Sequence, residues 1–367
     1  MMVYIFLLLF VFVCGLILYR YPHSRDAKIL FLLLTFGVMT IILGLRGEYV
    51  GEDTKHYLTM FQYADRVTWK EMLRSTGFRT VWYIDQYGFH DTVENGWLAL
   101  CKVVHLFTDN GQAFLFVVSA LTCGLFAKFI YDNSASIFYS TVIFLCESMF
   151  MFSFNGARQM LAVAITLSTY SALKKRKIKT AVIYVLLAAL IHNTALVTFA
   201  VFPFVLIKQK DSYKKFKYAI VAAALSPFAV MALKTMISRF IPRYAPYFSM
   251  NYWTNSAGGI AVLWVAEFAL ILVMYVKKFK VENSFQYSCF TLMYLAFELM
   301  GLQISVFGRV AYYFRSYLLL FFPCADLYFS KNSRRAVRCA IIILIILLYF
   351  SYARSDARAY SPFWMNY

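Results

Sequence analysis

The sequence predicts an all-α polytopic membrane protein of about twelve transmembrane helices, and three observations carry that expectation. Hydrophobic residues fill 62% of its 367 positions and charged residues only 15%, where a soluble domain is roughly 45–50% apolar. The apolar residues lie in consecutive runs of about the length that spans a bilayer core. The basic residues behind the net charge of +18 cluster between those runs, as in cytoplasmic membrane loops, and form no nucleic-acid patch. Water-soluble classes and nucleic-acid binding are therefore excluded, and the lipid bilayer is the first partner.

Taken in order, the run at 2–18 has no basic n-region and no small-residue cleavage site, so it reads as a retained span and not a cleaved signal peptide. A second span follows at 27–45. The longest loop, 46–95, is dense in aromatic residues, which suits stacking on sugar faces and equally suits a small cap packed on the membrane surface. The stretch 96–107 is too short to cross and contains Lys102 and His105, so it is expected as a helix lying in the interface. Spans are expected at 112–131, 137–152, 157–173, 218–236, 260–276, 285–302, 310–329 and 339–350, with a second aromatic loop at 237–259. The whole chain, 1–367, reads as one integral membrane domain.

The apolar stretch 180–207 is basic at both ends, so it must cross an even number of times. At about 1.5 Å per residue it is too short for two full crossings of a core about 30 Å thick. It is therefore expected as a hairpin of two short helices with His192, Asn193 and Thr194 at the apex. Counting it as two gives twelve spans with both termini outside. In that topology the inner loops hold 21 of the 36 basic residues but only five of the 18 acidic ones, which sets the orientation and makes 46–95 extracytoplasmic. Six of the seven cysteines lie in or beside apolar runs and only Cys101 falls outside them, so no disulfide framework, metal cluster or cofactor is expected.

The stretch the chain is organised around follows the second span: Arg46, Val50, Gly51, Asp53, Thr54 and Tyr57 at the lip of the outer face. An arginine there can offer a planar fork to phosphate oxygens, and Asp53 can accept from a sugar hydroxyl. The plainer reading is that Arg46 snorkels to headgroups while Asp53 or Thr54 caps a helix through Tyr57. Arg158, Arg309 and Arg315 also fall near the outer ends of spans, where positive-inside bias does not account for them. Arg315 is expected to pair with one of the span acids Glu147, Glu267 and Glu298. His192 suits proton transfer near neutral pH, or it plugs the carbonyls of a broken helix.

The order Arg46, Val50-Gly51-Glu52-Asp53-Thr54, Tyr57 resembles the signature of the EpsG-type polymerases, Wzy-like enzymes that polymerise bacterial polysaccharide repeat units carried on a lipid pyrophosphate. Asn155-Gly156-Ala157-Arg158-Gln159 and Ile191-His192-Asn193-Thr194-Ala195-Leu196 are similar to two further elements of that family, with weaker echoes at Glu94-Asn95-Gly96-Trp97 and Phe307-Gly308-Arg309 to Phe314. The resemblance implies a GT-C-like bundle at the bacterial cytoplasmic membrane. It implies inverting, metal-independent glycosyl transfer between a polyprenyl-pyrophosphate-linked donor and acceptor, feeding exopolysaccharide, capsule or O-antigen, with a chain-length regulator and a flippase as further partners. Arg46, Arg158 and Arg309 would then bind pyrophosphate, and His192 and Asp53 would be the catalytic pair, His192 as base and Asp53 orienting the acceptor. Asn193, Gln159, Tyr57, Tyr313 and Glu94 would contact substrate. A lipid-linked oligosaccharide flippase, a glycan ligase or a lipid-donor glycosyltransferase would share much of this polar set.

Overall fold

The computed structural model describes residues 1–75, 79–84, 90–206, 213, 216–240, 257–354 and 360–365. Backbone contacts group the chain into two compact units. The first holds Met1–Asn133, Phe144–Leu196 and Tyr349–Tyr367; the second holds Ser134–Ile143 and Val197–Leu348. The protein is an all-α membrane protein in its spans, with one departure among the described residues, in the loop 46–95.

In the first unit α1 (Met2–Arg20) packs on α2 (Arg25–Gly44). Ser24 caps α2 by accepting from the Ala27 N–H, and Asp26 complements the dipole in the first turn. At the other end the Gln112 side chain donates to the carbonyls of Gly44 and Arg46, which would otherwise be unsatisfied in an apolar setting. The loop that follows is ordered by its own polar bonds. It contains α3 (Thr54–Tyr63), then α4 (Trp69–Arg74), started by a Thr68–Glu71 capping box, then strands β1 (Arg79–Ile84) and β2 (His90–Glu94). This antiparallel pair is a local addition to the helical fold, which the expectation for the loop did not include. Its register sets Arg79 opposite Glu94, with an irregularity between Val81 and Tyr83.

Helix α5 (Asn95–His105) is the stretch expected to lie in the interface; one face of it buries Trp97, Leu98, Cys101 and Val104 within the unit, packed on α3. Lys102 does not reach for headgroups: it is buried and donates to the carbonyls of Val67 and Ala64 just after α3. Asn95 ties the loop together, donating to the Met72 carbonyl and Ser75 and accepting from Thr80, each at 2.7 Å. Next comes α6 (Gly111–Asn133), packed on α2.

The span expected at 137–152 is interrupted. It divides into α7 (Ile137–Cys146) and α8 (Met149–Asn155), bent by 42° at Glu147–Ser148, where Ser148 adopts a left-handed φ of 57°. After it come α9 (Ala157–Lys174), packed on α6, and α10 (Ile178–Ile191), packed on α9 and α5. The expected break in 180–207 falls at His192, whose extended backbone ends α10. The following arm begins as a 3-10 helix, Asn193–Ala200, and continues as α11 (Val201–Leu206).

In the second unit α14 (Ser284–Gly301) is the central element. Packed on it are α11, α12 (Phe216–Phe240), α13 (Ala257–Val276), α15 (Ser305–Arg315) and α16 (Leu318–Ala325). The apolar run 310–329 is therefore not one span: it is cut at Ser316–Tyr317. Arg315 pairs with Glu298 at 3.4 Å, both buried, and its guanidinium lies over the rings of Tyr294 and Tyr312. Of the second aromatic loop, 241–256 lies outside the described residues. The last long helix is α17 (Lys331–Ala353).

Length and composition qualify four helices to cross a membrane, α1, α2, α6 and α17, or five if α7 and α8 count as one span. The expected count of about twelve exceeds this among the described residues because breaks at Glu147–Ser148, His192 and Ser316–Tyr317 leave apolar helices short of a bilayer core.

Candidate active site

Arg46, one residue beyond the cap of α2, turns inward instead of snorkelling: it is 1% exposed. Its Nε donates to Thr54 at 3.0 Å and its Nη1 to the Leu43 carbonyl at 2.6 Å, while Nη2 is buried with no partner among the described residues. Thr54 is therefore an arginine ligand as well as the first residue of α3, and it donates back to the Val50 carbonyl at 2.6 Å. Burial pulls the Arg46 guanidinium down to about 10, against the opposing effects of Tyr57 and Tyr360, so it stays charged at neutral pH. The turn between Val50 and Thr54 needs glycine. Gly51 has φ +85° and sits against the end of α8, where a Cβ would overlap the Phe154 carbonyl.

Asp53 occupies the N-cap position of α3 without making a side-chain cap bond; its carboxylate accepts instead from the Tyr57 hydroxyl at 3.3 Å. Tyr57 is buried, also bonds the Asn155 carbonyl at 3.0 Å, and rests its ring on Trp97. Burial pushes its phenol well above the ordinary value, with Asp53 adding to the shift and Arg158 and Arg46 opposing it. Both arginines are thus within electrostatic reach of one hydroxyl. Among the described residues the Nε of Arg158, the indole N–H of Trp97 and the side-chain carbonyl of Asn155 are also buried without partners. Such a set carries an uncompensated cost, which a polar ligand would offset.

Glu94, at the junction of β2 and α5, is the second centre. It is 2% exposed and takes Arg158 at 2.8 Å on one oxygen, and Arg79 at 3.2 Å and the Asn193 backbone N–H at 3.2 Å on the other. Burial alone would raise its pKa, but Arg158, His192 and Arg79 outweigh that and hold the carboxylate below the usual range. Gly96 explains how Glu94 comes so near the helix break: a Cβ there would stand 2.6 Å from the Leu190 carbonyl, so only glycine lets α5 lie against the end of α10. His192 Nδ1 lies 2.7 Å from the Thr194 hydroxyl. If Nδ1–H donates to it, the basic lone pair is on Nε2, which gives the His-x-Thr spacing a physical purpose.

The structure brings six of the ten residues named from the sequence into one neighbourhood: Glu94 is ion-paired with Arg158 and Tyr57 is hydrogen-bonded to Asp53, while His192 acts on Glu94, and Arg46 and Arg158 on Tyr57, through electrostatics. Asn193 takes part through its backbone N–H, its side chain being exposed. Gln159 is buried in α9, about 100° around the helix from Arg158. Arg309, exposed, and Tyr313, buried, share a face of α15 and belong to the second unit.

Three participants were not legible as such: Arg79, reached only through strand register, Thr54 as arginine ligand, and the C-terminal segment. That segment runs beside the Arg46 turn, with Gly47 N–H donating to the Ser361 carbonyl at 2.8 Å and Phe363 N–H to that of Leu45 at 3.0 Å. No curated protein sequence and no solved structure matches the chain. The EpsG family model matches residues 29–367, a stretch that contains every residue of this constellation and both halves of the molecule, and the chain therefore belongs to the EpsG family.

Proposed function

We propose that this membrane protein polymerises polysaccharide by inverting glycosyl transfer between two polyprenyl-pyrophosphate-linked glycans at the outer leaflet of a bacterial cytoplasmic membrane. The observation that carries the reading is the pair of arginines, Arg46 and Arg158, each holding a buried N–H with no partner among the described residues and each within electrostatic reach of the Tyr57 hydroxyl. In the reaction the bond from the donor's anomeric carbon to the pyrophosphate oxygen breaks and the oxygen keeps the electron pair. The acceptor hydroxyl attacks the opposite face of that carbon and gives its proton to His192. Charge grows on the departing oxygen, and fixed guanidinium donors stabilise it without reorganising and without a divalent ion. Asp53, joined to Tyr57, orients the acceptor. EpsG membership supports a polysaccharide-polymerase type of protein, destined here for exopolysaccharide, capsule or O-antigen, in a GT-C-like bundle. A twelve-span topology requires the short and broken helices to complete the crossings.

The test is product size. Purified protein given one defined lipid-linked repeat unit should produce a ladder of lengths. A single addition would make it a ligase or a lipid-donor glycosyltransferase, and movement of substrate across vesicles without bond formation would make it a flippase.

Orientation has its own test. Single cysteines at the exposed positions Lys70 and Lys179, in a background without native cysteines, should label from opposite faces with an impermeant thiol reagent. Labelling of the Lys70 position only from the cytoplasm would place the candidate site on the wrong side for an outer-leaflet reaction.

A further inference from the structure

The opposite end of the first unit carries a second constellation that the proposed reaction does not use. α9 runs from Arg158 in its first turn to Lys175 just beyond its last, so the two ends are ~25 Å apart. At the Lys175 end, a cavity of about 210 Å³ opens among the ends of α6, α9 and α10. Lys128, Lys175, Lys177, Ser171, Thr180 and Tyr184 contribute to its lining. Its one acid, Asp132, is paired with Lys128 at 2.8 Å, and no carboxylate among the described residues pairs with Lys175 or Lys177. Ser171 accepts from Asn133 at 3.1 Å, so its own O–H remains a donor. Several cations and hydroxyl donors around one hollow match the oxygens of a phosphate group.

Lys128 also lines a second hollow, a groove of about 400 Å³ between α2 and α6, within the range of ligand sites. Apart from Lys128, Thr40 and Tyr131 its walls are apolar or glycine: Ile29, Leu33 and Phe36 on one helix, Ala120 and Ala127 on the other. The glycines show why it is open. Near the outer end the two helices touch so closely that a Cβ on Gly44 would lie 2.6 Å from the Phe116 ring. At Gly37 and Gly124, in the groove, a Cβ would meet nothing within 4 Å. Glycine in a pair of membrane helices ordinarily brings backbones together, and here these two leave space between them.

We propose that this end of the protein binds one anionic glycerophospholipid, with an acyl chain in the α2–α6 groove and the phosphate held by Lys128, Lys175 and Lys177. Lys128 lines both the apolar groove and the basic cavity, and that shared residue selects the occupant: a free phosphate has no use for the groove, and a neutral lipid has none for the lysines. The site lies among the basic loops, where a leaflet rich in anionic headgroups is expected.

Full-length protein in detergent, titrated with phosphatidylglycerol and phosphatidylcholine and read by native mass spectrometry, should retain one phosphatidylglycerol with about tenfold preference. Gly124→Leu fills the groove where the structure has room for a side chain, and should abolish that retained lipid while helicity and melting temperature stay unchanged. The triple variant Lys128→Gln, Lys175→Gln, Lys177→Gln should keep one lipid and lose the preference. Equal retention of the two lipids by the wild type, or retention unchanged in Gly124→Leu, overturns the proposal. Displacement of phosphatidylglycerol by an equal concentration of polyprenyl phosphate overturns the assignment to a glycerophospholipid.

Discussion

A His192→Gln variant is expected to bind lipid-linked donor as the wild type does and to lose turnover by the roughly 10²–10⁴-fold typical of removing a general base. Glutamine keeps a hydrogen-bonding group beside Thr194 but cannot take a proton. The backbone around the residue should survive the change, because the bonds that fix the break do not use the imidazole: Glu94 accepts the Asn193 N–H, and the His192 backbone N–H bonds the Ala188 carbonyl at 2.9 Å. Asp53→Asn, by contrast, should weaken use of the acceptor more than binding of the donor. Normal turnover in His192→Gln, together with an inactive Asp53→Asn that still binds acceptor, would exchange the two roles.

What the sequence disclosed of this site, and what it hid, divides along a physical line. The break at His192 was legible because it follows from length and charge parity: 28 apolar residues between two basic clusters cannot make two full crossings. That Arg315 would pair with a span acid was legible for a similar reason, since a charge in an apolar span requires a partner, but the choice of Glu298 over Glu147 and Glu267 was not. The break at Ser148 was not, because a serine in left-handed conformation inside an apolar run leaves no trace in hydropathy. Nor was the strand pair: Arg79–Ile84 is rich in β-branched and aromatic residues, but in a loop full of aromatics that pattern also fits a surface cap.

The inward turn of Arg46 marks the same limit. An arginine at the end of an apolar run has two low-cost outcomes, and pattern alone does not separate them. What decides is the tight turn at Gly51, which delivers Thr54 to the guanidinium eight residues away. Arg79 and the C-terminal segment reach the site by register and by backbone pairing across hundreds of residues, and neither leaves a periodic signal.

Arg158→Lys should lower turnover by about 10²-fold, with little loss of thermal stability. The residue has two faces in the structure. One N–H bonds Glu94 at 2.8 Å, and a lysine ammonium can keep that ion pair, so the buried carboxylate remains compensated and the junction of β2, α5 and α10 should hold. The other, the buried unpartnered Nε–H, exists only in a guanidinium. The substitution therefore separates the structural charge from the second donor. If that donor serves the departing pyrophosphate oxygen, whose charge appears only as the bond breaks, the loss should fall on kcat and leave KM for the donor nearly unchanged. Arg158→Ala is the contrasting case: it removes one of the cations that hold Glu94 ionised in a buried setting, and should cost folding as well as rate. Full activity in Arg158→Lys would reduce Arg158 to an anchor for Glu94 and leave Arg46 Nη2 as the remaining buried, unpartnered guanidinium donor of the constellation.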